Sequence, residues 1–358
     1  GGGGSARRVA LRAPFCETAR AMTDPVLRPR PPFDFDSTAR FFRFTEAEIV
    51  DTFDEGRYAR ALHVGGKLLV VSVTSGGTTA RPALSVALAP ARSVTARAEA
   101  QAVEIVRRMF SADHDLRLFR ARVEGDELMG RLEAAHRGLR LPRWPTLFEA
   151  LASSILLQQI ATPVAWIFKR RFVERFGATV EHAGRTFYAF PLAERVARVE
   201  PEELRQLGLT NAKAVSIVAA ARAVTDGSLA ADELEKEDNE SVVARLSSLR
   251  GVGRWTAEWV LMLHFGRTDV FAAADLFLRG AIAKYYNDGR PLREQEVRAV
   301  ARERFGAWGA YAALYLLAGM RAGSVTLKPD GVLSSTATDD AGPRRRRSPA
   351  AGSTKPSR

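Results

Sequence analysis

The most informative segment of this chain is Leu249-Arg250-Gly251-Val252-Gly253-Arg254-Trp255-Thr256-Ala257. Helical periodicity ends near residue 248 and resumes at 254, so the pattern predicts two helices joined by a tight turn. Glycine permits the positive φ of such a turn and the close approach of a neighbouring backbone. The start of the second helix exposes unpaired N–H groups and a positive dipole end, which suit a phosphate. A plain turn between two helices has the same pattern, so this stretch alone leaves phosphate binding open.

Outward from this hairpin, helical periodicity covers most of the chain. Thr162 followed by Pro163 predicts an N-cap with proline at the first helical position, and Gly177 is expected to end that helix. The predicted helices are residues 146–159, 162–176, 201–207, 211–225, 239–247, 254–265, 275–286, 294–305 and 307–320. The chain is therefore expected to be mainly α, with an all-helical domain at 98–325 whose helix-hairpin-helix lies at 240–265.

The segment before this domain has a strand pattern. Apolar and β-branched runs flank Gly65-Gly66, which predicts a β-hairpin. Thr45 predicts the start of a short helix at 46–52. The predicted strands are residues 58–62, 67–74 and 83–89. We therefore expect a small mixed α/β domain at residues 33–97.

Composition narrows the function classes. The chain has 53 Lys and Arg against 41 Asp and Glu, and the net charge of +12 favours a polyanionic partner such as nucleic acid. Its single cysteine, Cys16, excludes an internal disulfide, a cysteine-rich zinc site and an iron–sulfur cluster. No apolar run approaches the roughly 20 residues of a membrane helix, so no membrane contact is expected. Residues 1–32 and 326–358, rich in Gly, Pro, Ser and Arg, are predicted to be a disordered leader and a disordered basic tail.

Several motifs together resemble the helix-hairpin-helix (HhH-GPD) DNA glycosylase superfamily. The hairpin followed about two dozen residues later by Asp275 is the most specific of them. The segments at 138–142, 154–160, 190–191, 207–214 and 308–312 are similar to further family segments, and the first and last of these resemble the branch called DNA-3-methyladenine glycosylase II. The likeness covers about residues 33–325. It implies base flipping and base excision in DNA repair, with Asp275 as the catalytic carboxylate. An N-cap role for Asp275 is the alternative interpretation, and the two roles are compatible.

The resemblance also assigns the reaction type and the substrate pocket. Family members that cut the strand carry a lysine nucleophile at position 255, whereas this chain has Trp255, so hydrolysis without a lyase step is implied. Alkylated purines such as 3-methyladenine and 7-methylguanine are cationic and suit an aromatic pocket. Trp255, Trp259, Trp308 and Tyr311 are the candidate pocket residues, and core packing is the alternative for each.

The remaining expected contacts are with DNA. Gln159 takes the place of the wedge that fills the gap left by a flipped base, with Gln158 before it, although the branch often has an apolar wedge. The expected hairpin contacts are Gly251, Val252, Gly253, Arg254 and Thr256. The backbone carbonyls of Ser247, Leu249 and Val252 match positions that hold a monovalent cation, Na⁺ or K⁺, in the family. No other cofactor is expected. Ala274 departs from the acidic residue that often precedes the catalytic Asp.

The sequence therefore predicts a monofunctional glycosylase for alkylated purines in double-stranded DNA, acting as a monomer in the cytoplasm at the bacterial nucleoid, or in the nucleus of a eukaryote. A non-enzymatic helix-hairpin-helix DNA-binding protein and a glycosylase for deaminated bases remain as alternatives.

Overall fold

Helices dominate the part of the chain that the computed structural model describes, residues 24–43 and 45–327. In chain order they are α1 Phe35–Phe42, α2 Ala96–Met109, α3 Leu116–Val123, α4 Glu127–Ala135, α5 Leu147–Leu157, α6 Thr162–Phe176, α7 Ala193–Val196, α8 Pro201–Arg205, α9 Asn211–Thr225, α10 Ala231–Leu234, α11 Asn239–Ser247, α12 Arg254–Val260, α13 Leu276–Tyr286, α14 Glu294–Phe305 and α15 Gly309–Arg321. A π-helical turn, Leu261–Phe265, continues α12, and 3-10 turns lie at Ala91–Ser93 and Gly306–Trp308. None of the described helices combines the length and apolar composition needed to cross a membrane. The predicted mainly α fold is confirmed.

The strands in the described residues are β1 Val26–Leu27, β2 Thr52–Asp54, β3 Arg57–Val64, β4 Lys67–Ser75, β5 Leu84–Ala89, β6 Thr179–His182 and β7 Arg185–Tyr188. The first five form an antiparallel sheet in the order β1-β5-β4-β3-β2, and β6 pairs with β7. The β3–β4 hairpin turns through Gly65 and Gly66, with φ of +59° and +76°. Two successive positive φ values match a type I′ turn, whose twist fits the strands. The predicted hairpin is therefore confirmed.

Different elements cover the two faces of the five-stranded sheet. On one face Phe35, Phe42 and Phe110 pack around Tyr58, and α2 buries its apolar side chains in the same core. The other face carries small side chains and packs against Phe187 of β7. The sequence predicts that the helical domain starts at residue 98, whereas α2 packs on the sheet. Periodicity identifies a helix but does not say which core the helix joins.

Helix α5 is the central helix of the helical domain. Its side chains from Leu147 to Leu156 are all buried, as expected of a helix that is apolar on nearly every face. It contacts α6, α9 and α12. Because α5 ends at Leu157, it carries the next residues, Gln158 and Gln159, to the surface.

Buried ion pairs fix α5 and α6 to the N-terminal domain. Arg60 of β3 donates to both oxygens of Glu149 on α5, at 3.0 and 2.8 Å, and to Asp51 at 3.1 Å. Lys169 of α6 pairs with Glu48 at 2.6 Å. Removing one partner of such a pair leaves a buried charge, at a cost of about 3–5 kcal/mol. The N-terminal domain therefore helps to hold the loop between α5 and α6 in place.

Three local predictions are wrong. Residues 46–52 are not helical, because the Thr45 hydroxyl accepts the Ala47 amide and the Glu48 carboxylate accepts the Val50 amide, so side chains satisfy the backbone donors instead. Ala161, not Thr162, occupies the N-cap of α6. The domain predicted to be all-helical contains the β6–β7 hairpin, whose two short strands give little periodic signal.

The prediction that residues 1–32 are disordered is wrong for residues 24–32, which the structure describes. Leu27 of β1 is buried and pairs with Leu84 of β5, and the Arg30 amide donates to the Ala112 carbonyl. A two-residue edge strand has too few residues to show alternation. Residues 1–23 of the leader and 328–358 of the tail lie outside the described residues.

Candidate active site

The hairpin turn between α11 and α12 requires glycine at its first position. Gly251 has φ of +80°, a conformation that costs other L residues roughly 1–2 kcal/mol. A Cβ built there would lie 2.0 Å from Oγ of Ser216 on α9. Gly251 is therefore needed both for the turn and for the packing of the turn against α9.

Gly253 has a different role, because it is the N-cap of α12. Its φ is −100°, and a Cβ built on it would meet nothing within 4 Å. Among the described residues, no side chain accepts the first N–H groups of α12. Helices α6, α7, α8, α10 and α15 also lack such a cap, whereas eight of the described helices have N-caps whose side chains accept these groups: Asp34, Thr95, Asp115, Asp126, Thr146, Thr210, Asp238 and Asp275. The α12 N-terminus thus offers open donors and open space, which suit an anionic group.

Asp275 is held in a defined orientation at the N-terminus of α13. Its Oδ1 accepts the amides of Phe277 and Leu278 at 3.0 and 3.1 Å. Its Oδ2 accepts the indole N–H of Trp255 at 3.3 Å. The carboxylate is partly buried, and the next residue, Leu276, is 73% exposed. Asp275 therefore lies near the surface, beside α12. One carboxylate oxygen caps α13, and the other accepts a hydrogen bond from the Trp255 indole.

The four candidate pocket aromatics do not form one group. Trp255 and Trp259 lie one turn apart on α12, partly buried, with ring centroids 6.1 Å apart and planes at 62°. Trp308 is also partly buried, but its ring neighbours are Phe119 and Tyr311, at 6.1 and 5.6 Å. In the described residues no ring contact joins Trp308 to the α12 pair.

Tyr311 does not fit its predicted place in the pocket. It is fully buried, and its hydroxyl lies 2.8 Å from Nδ1 of His114. Phe119 and Tyr315 pack on its ring at 5.8 and 6.5 Å. Tyr311 is therefore a core residue, because α15 is apolar on nearly every face and its first turn lies inside the helical core.

The two glutamines after α5 have different environments. The side-chain amide of Gln158 donates to the Gly251 carbonyl at 3.0 Å and to the Thr256 hydroxyl at 2.7 Å, so it joins the α5–α6 loop to the hairpin. Gln159 is exposed, with φ of +54°. Lys213 of α9 donates to the Leu156 carbonyl at 2.8 Å. Gln159 is therefore the side chain that projects from this loop, and Gln158 positions the loop.

Known proteins share both parts of this architecture. Residues 26–145 match the family model of the AlkA N-terminal domain, and residues 152–306 match that of the HhH-GPD superfamily base excision DNA repair proteins. The DNA-3-methyladenine glycosylase of Bacillus subtilis (strain 168) is 32% identical over 214 residues, 60% of this chain and 70% of that protein. The DNA-3-methyladenine glycosylase 2 of Escherichia coli (strain K12) is 28% identical over 287 residues, 80% of this chain and 94% of that protein.

This chain belongs to the HhH-GPD superfamily. It is a DNA glycosylase. A solved structure, the 3-methyladenine DNA-glycosylase from Archaeoglobus fulgidus, is 28% identical with a TM-score of 0.73, and the match covers 84% of this chain and 99% of that one. The structure of MBOgg1 with a low-affinity DNA ligand, at 20% identity and a TM-score of 0.69, shares the fold.

Arg254 of the glycosylase, a predicted DNA contact, takes part in ion pairs within the protein. Its guanidinium pairs with both oxygens of Glu240 on α11 and lies 3.6 Å from Glu258. Arg298 of α14 donates to the same Glu258 oxygen at 2.8 Å. This network clamps the two helices of the hairpin and lines a cavity of about 500 Å³ that contains neither Asp275 nor the tryptophans. The i, i+4 spacing of Arg254 and Glu258 is a sequence signal for part of the network, but nothing local marks Glu240.

Val252 and Thr256 of the hairpin are also buried. The Thr256 hydroxyl faces Gln158, so contact of either residue with DNA would have to come from the backbone. The Leu249 carbonyl accepts the Val252 amide at 3.1 Å. Carbonyls of Ser247, Leu249 and Val252 would supply neutral oxygen donors, whereas the described residues contain no group of three or more His, Cys, Asp or Glu placed to hold a metal.

Proposed function

We propose that the glycosylase is monofunctional and hydrolyses the N-glycosidic bond of alkylated purines in double-stranded DNA, leaving an abasic site. The observation that carries the proposal is the Asp275 carboxylate, held by two backbone N–H groups and faced by the Trp255 indole. The carboxylate accepts from Trp255 of the hairpin helix, whose N-cap, Gly253, supplies no side chain to accept the first N–H groups. A nucleotide bound here would place its phosphate at the N-terminus of α12 and its sugar beside the Asp275 carboxylate.

Asp275 would act on the charge that develops in the sugar. The C1′–N bond breaks through an oxocarbenium-like transition state, and a nearby carboxylate stabilises its positive charge. The electron pair of the bond leaves with the base and neutralises a cationic alkylated purine. Water adds its hydroxyl to C1′, and its proton passes to the carboxylate or to solvent.

Trp255 excludes the strand-cleaving reaction that needs a lysine nucleophile at position 255. An indole nitrogen is not a nucleophile for a sugar carbon, so Trp255 cannot form the Schiff base that precedes strand cleavage. Its N–H instead donates to Asp275 Oδ2 at 3.3 Å. We therefore expect base release without an associated strand break.

The substrate class rests on the indoles and on the relatives. Trp255 and Trp259 are partly buried and edge-to-face, and a cationic purine gains about 0.5–2 kcal/mol from each aromatic contact. The B. subtilis and E. coli relatives are named DNA-3-methyladenine glycosylases. Alkylated purines fit this chemistry better than neutral deaminated bases do.

We expect the protein to act as a monomer that contacts DNA at two places, the N-terminus of α12 and Gln159. The open N–H groups of α12 would bind a backbone phosphate, and Gln159 would fill the gap left by the flipped base. A Na⁺ or K⁺ held by the carbonyls of Ser247, Leu249 and Val252 would add positive charge beside that phosphate.

The test is a panel of duplexes that carry 3-methyladenine, 7-methylguanine, hypoxanthine or 8-oxoguanine. Free base and strand breaks are counted separately after incubation with the protein. The proposal predicts release of the two methylated purines and no strand breaks above the spontaneous background. Preferred release of hypoxanthine would move the assignment to deaminated bases, and strand cleavage coupled to release would contradict the monofunctional mechanism.

A further inference from the structure

A single cation, Arg279, lies one helical turn after Asp275 on α13. Its backbone amide donates to the Asp275 carbonyl at 2.8 Å. Residues four apart on an α-helix are neighbours on one face, with Cβ atoms about 5–6 Å apart, and long helical side chains point back towards the helix N-terminus. The Arg279 side chain therefore belongs to the face of α13 that carries the Asp275 carboxylate.

The guanidinium of Arg279 has no partner within the described residues. The side chain is only partly exposed, yet neither a carboxylate within ion-pair distance nor a hydrogen-bond acceptor is found for it in that part of the chain. Asp275 is the only Asp or Glu three or four residues away along the sequence. Both of its oxygens already accept hydrogen bonds, one from the amides of Phe277 and Leu278 and the other from the Trp255 indole. Arg279 therefore keeps all of its donors.

Two other arginines show how this fold uses a guanidinium for structure. Arg254 of α12 pairs with Glu240 and lies 3.6 Å from Glu258. Arg298 of α14 pairs with Glu258 at 2.8 Å and with Glu294 at 3.3 Å. These pairs hold helices of the protein to one another. Arg279 makes no such pair among the described residues, so its charge is available to a group outside the protein.

A bound nucleotide would bring negative charge to this turn of α13. Under the proposed function its C1′ lies beside the Asp275 carboxylate, and its phosphates are attached to the same sugar through the 3′ and 5′ oxygens. The ionised carboxylate repels those phosphates, whereas a guanidinium one turn away attracts them. Leu276, the first residue of α13, is 73% exposed, so this end of the helix lies at the surface, where DNA can approach.

We propose that Arg279 binds a phosphate of the flipped nucleotide whose sugar lies at Asp275. The inference rests on the proposed function, because the catalytic position of Asp275 is what brings a nucleotide to this turn. The planar guanidinium donates two parallel hydrogen bonds to the non-bridging oxygens of the phosphate. The contact forms only when a nucleotide has left the base stack, so it stabilises the flipped state and adds little to the binding of undamaged duplex.

The test compares wild type and Arg279→Gln by fluorescence anisotropy on two duplexes of one sequence, undamaged or carrying an uncleavable abasic analogue. Arg279→Gln should raise the Kd for the abasic-analogue duplex about tenfold, as expected for a lost charge-assisted hydrogen bond. The Kd for the undamaged duplex should change less than about twofold, because its nucleotides stay stacked. Between about 50 and 200 mM salt, the slope of log K against log salt for the abasic-analogue duplex should become shallower by about 0.9, the value for one phosphate contact.

Arg279→Lys tests whether the charge or the shape of the guanidinium is used. Lysine keeps the positive charge but cannot donate two parallel hydrogen bonds. It should therefore restore the salt slope of the wild type and only part of the affinity for the abasic-analogue duplex. A lysine variant as weak as Arg279→Gln, with the same shallow slope, would contradict a phosphate contact.

Arg290→Gln is the matched control for the loss of one positive charge. Arg290 follows the opposite end of α13 and is 76% exposed, so this variant should keep the wild-type ratio of the two Kd values. Equal weakening of both duplexes by Arg279→Gln, or an unchanged Kd for the abasic-analogue duplex, would overturn the inference.

Release of 7-methylguanine by the wild type is measured in parallel. A wild type that releases no base would refute the proposed function itself, whereas release together with unchanged binding by Arg279→Gln would refute only the Arg279 contact.

Discussion

The two glycines of the hairpin should respond to the same substitution in opposite ways. Gly253→Ala adds a methyl group where nothing lies within 4 Å, at a φ of −100° that alanine adopts freely. The loss of a good N-cap residue and the lower entropy of the unfolded chain have opposite signs, so the free energy of unfolding should change by less than about 0.5 kcal/mol. The same methyl group would project into the open space at the N-terminus of α12, where a phosphate would approach.

DNA binding should therefore fall in Gly253→Ala without loss of stability. Blocking a phosphate from the helix N-terminus removes charge-assisted hydrogen bonds worth about 1.5–3 kcal/mol, or roughly a 10- to 150-fold increase in Kd. The assay is fluorescence anisotropy with a duplex that carries an uncleavable abasic analogue, at one fixed salt concentration because phosphate contacts are screened by salt.

Gly251→Ala is the contrasting variant. The new Cβ would meet Ser216 Oγ at 2.0 Å and would require alanine at φ of +80°. Left-handed strain of about 1–2 kcal/mol and overpacking of about 1–3 kcal/mol together predict a loss of about 2–5 kcal/mol in urea unfolding. Adding Ser216→Ala should recover part of it. If Gly253→Ala bound the duplex as tightly as the wild type, the phosphate would not be gripped at this turn and the reasoning would fail.

Three further results are expected. Trp255→Phe removes the N–H that lies 3.3 Å from Asp275 Oδ2 and should slow single-turnover base release about two- to tenfold; an unchanged rate would mean that the indole does not orient the carboxylate. Gln159→Ala, at an exposed position, should leave urea unfolding unchanged but slow base release more for a paired lesion than for a mismatched one, and equal slowing would argue against a wedge. Burial lowers the pKa of His114 and of His264 from 6.5 to about 4, so urea unfolding should show full stability above about pH 6.5 and a loss of up to about 3 kcal/mol for each histidine as the pH falls to 4; a flat profile would contradict this.

Most of the fold could be predicted from the sequence because long amphipathic helices carry a strong periodic signal. The helices 211–225, 239–247 and 294–305 have the predicted bounds. Short elements gave no comparable signal. The sequence analysis does not predict helix α1, although Asp34 caps it, and it does not predict β1, because two residues cannot show alternation. Long-range pairing, such as that of β1 with β5, decides such elements.

One contact of the candidate site follows from residues that are close in the sequence. The hairpin, Asp275 and Trp255 are linked by local spacing, and the structure brings the last two into hydrogen-bond contact. Spacing could not distinguish an exposed aromatic residue from a buried one, so Tyr311 was assigned to the pocket although it is core. It also could not show that Arg254 is held by Glu240, which lies in the preceding helix.

The variant Asp275→Asn tests the proposed catalytic role of Asp275. Asparagine is as good an N-cap as aspartate, so α13 and the fold should be retained while the carboxylate charge is lost. Single-turnover release of 7-methylguanine should slow at least about 100-fold, which is typical for the loss of a group that stabilises a transition-state charge, while the Kd for the abasic-analogue duplex stays within about threefold. Base release at the wild-type rate by a variant that still folds and binds DNA would contradict the assignment of Asp275 as the catalytic carboxylate.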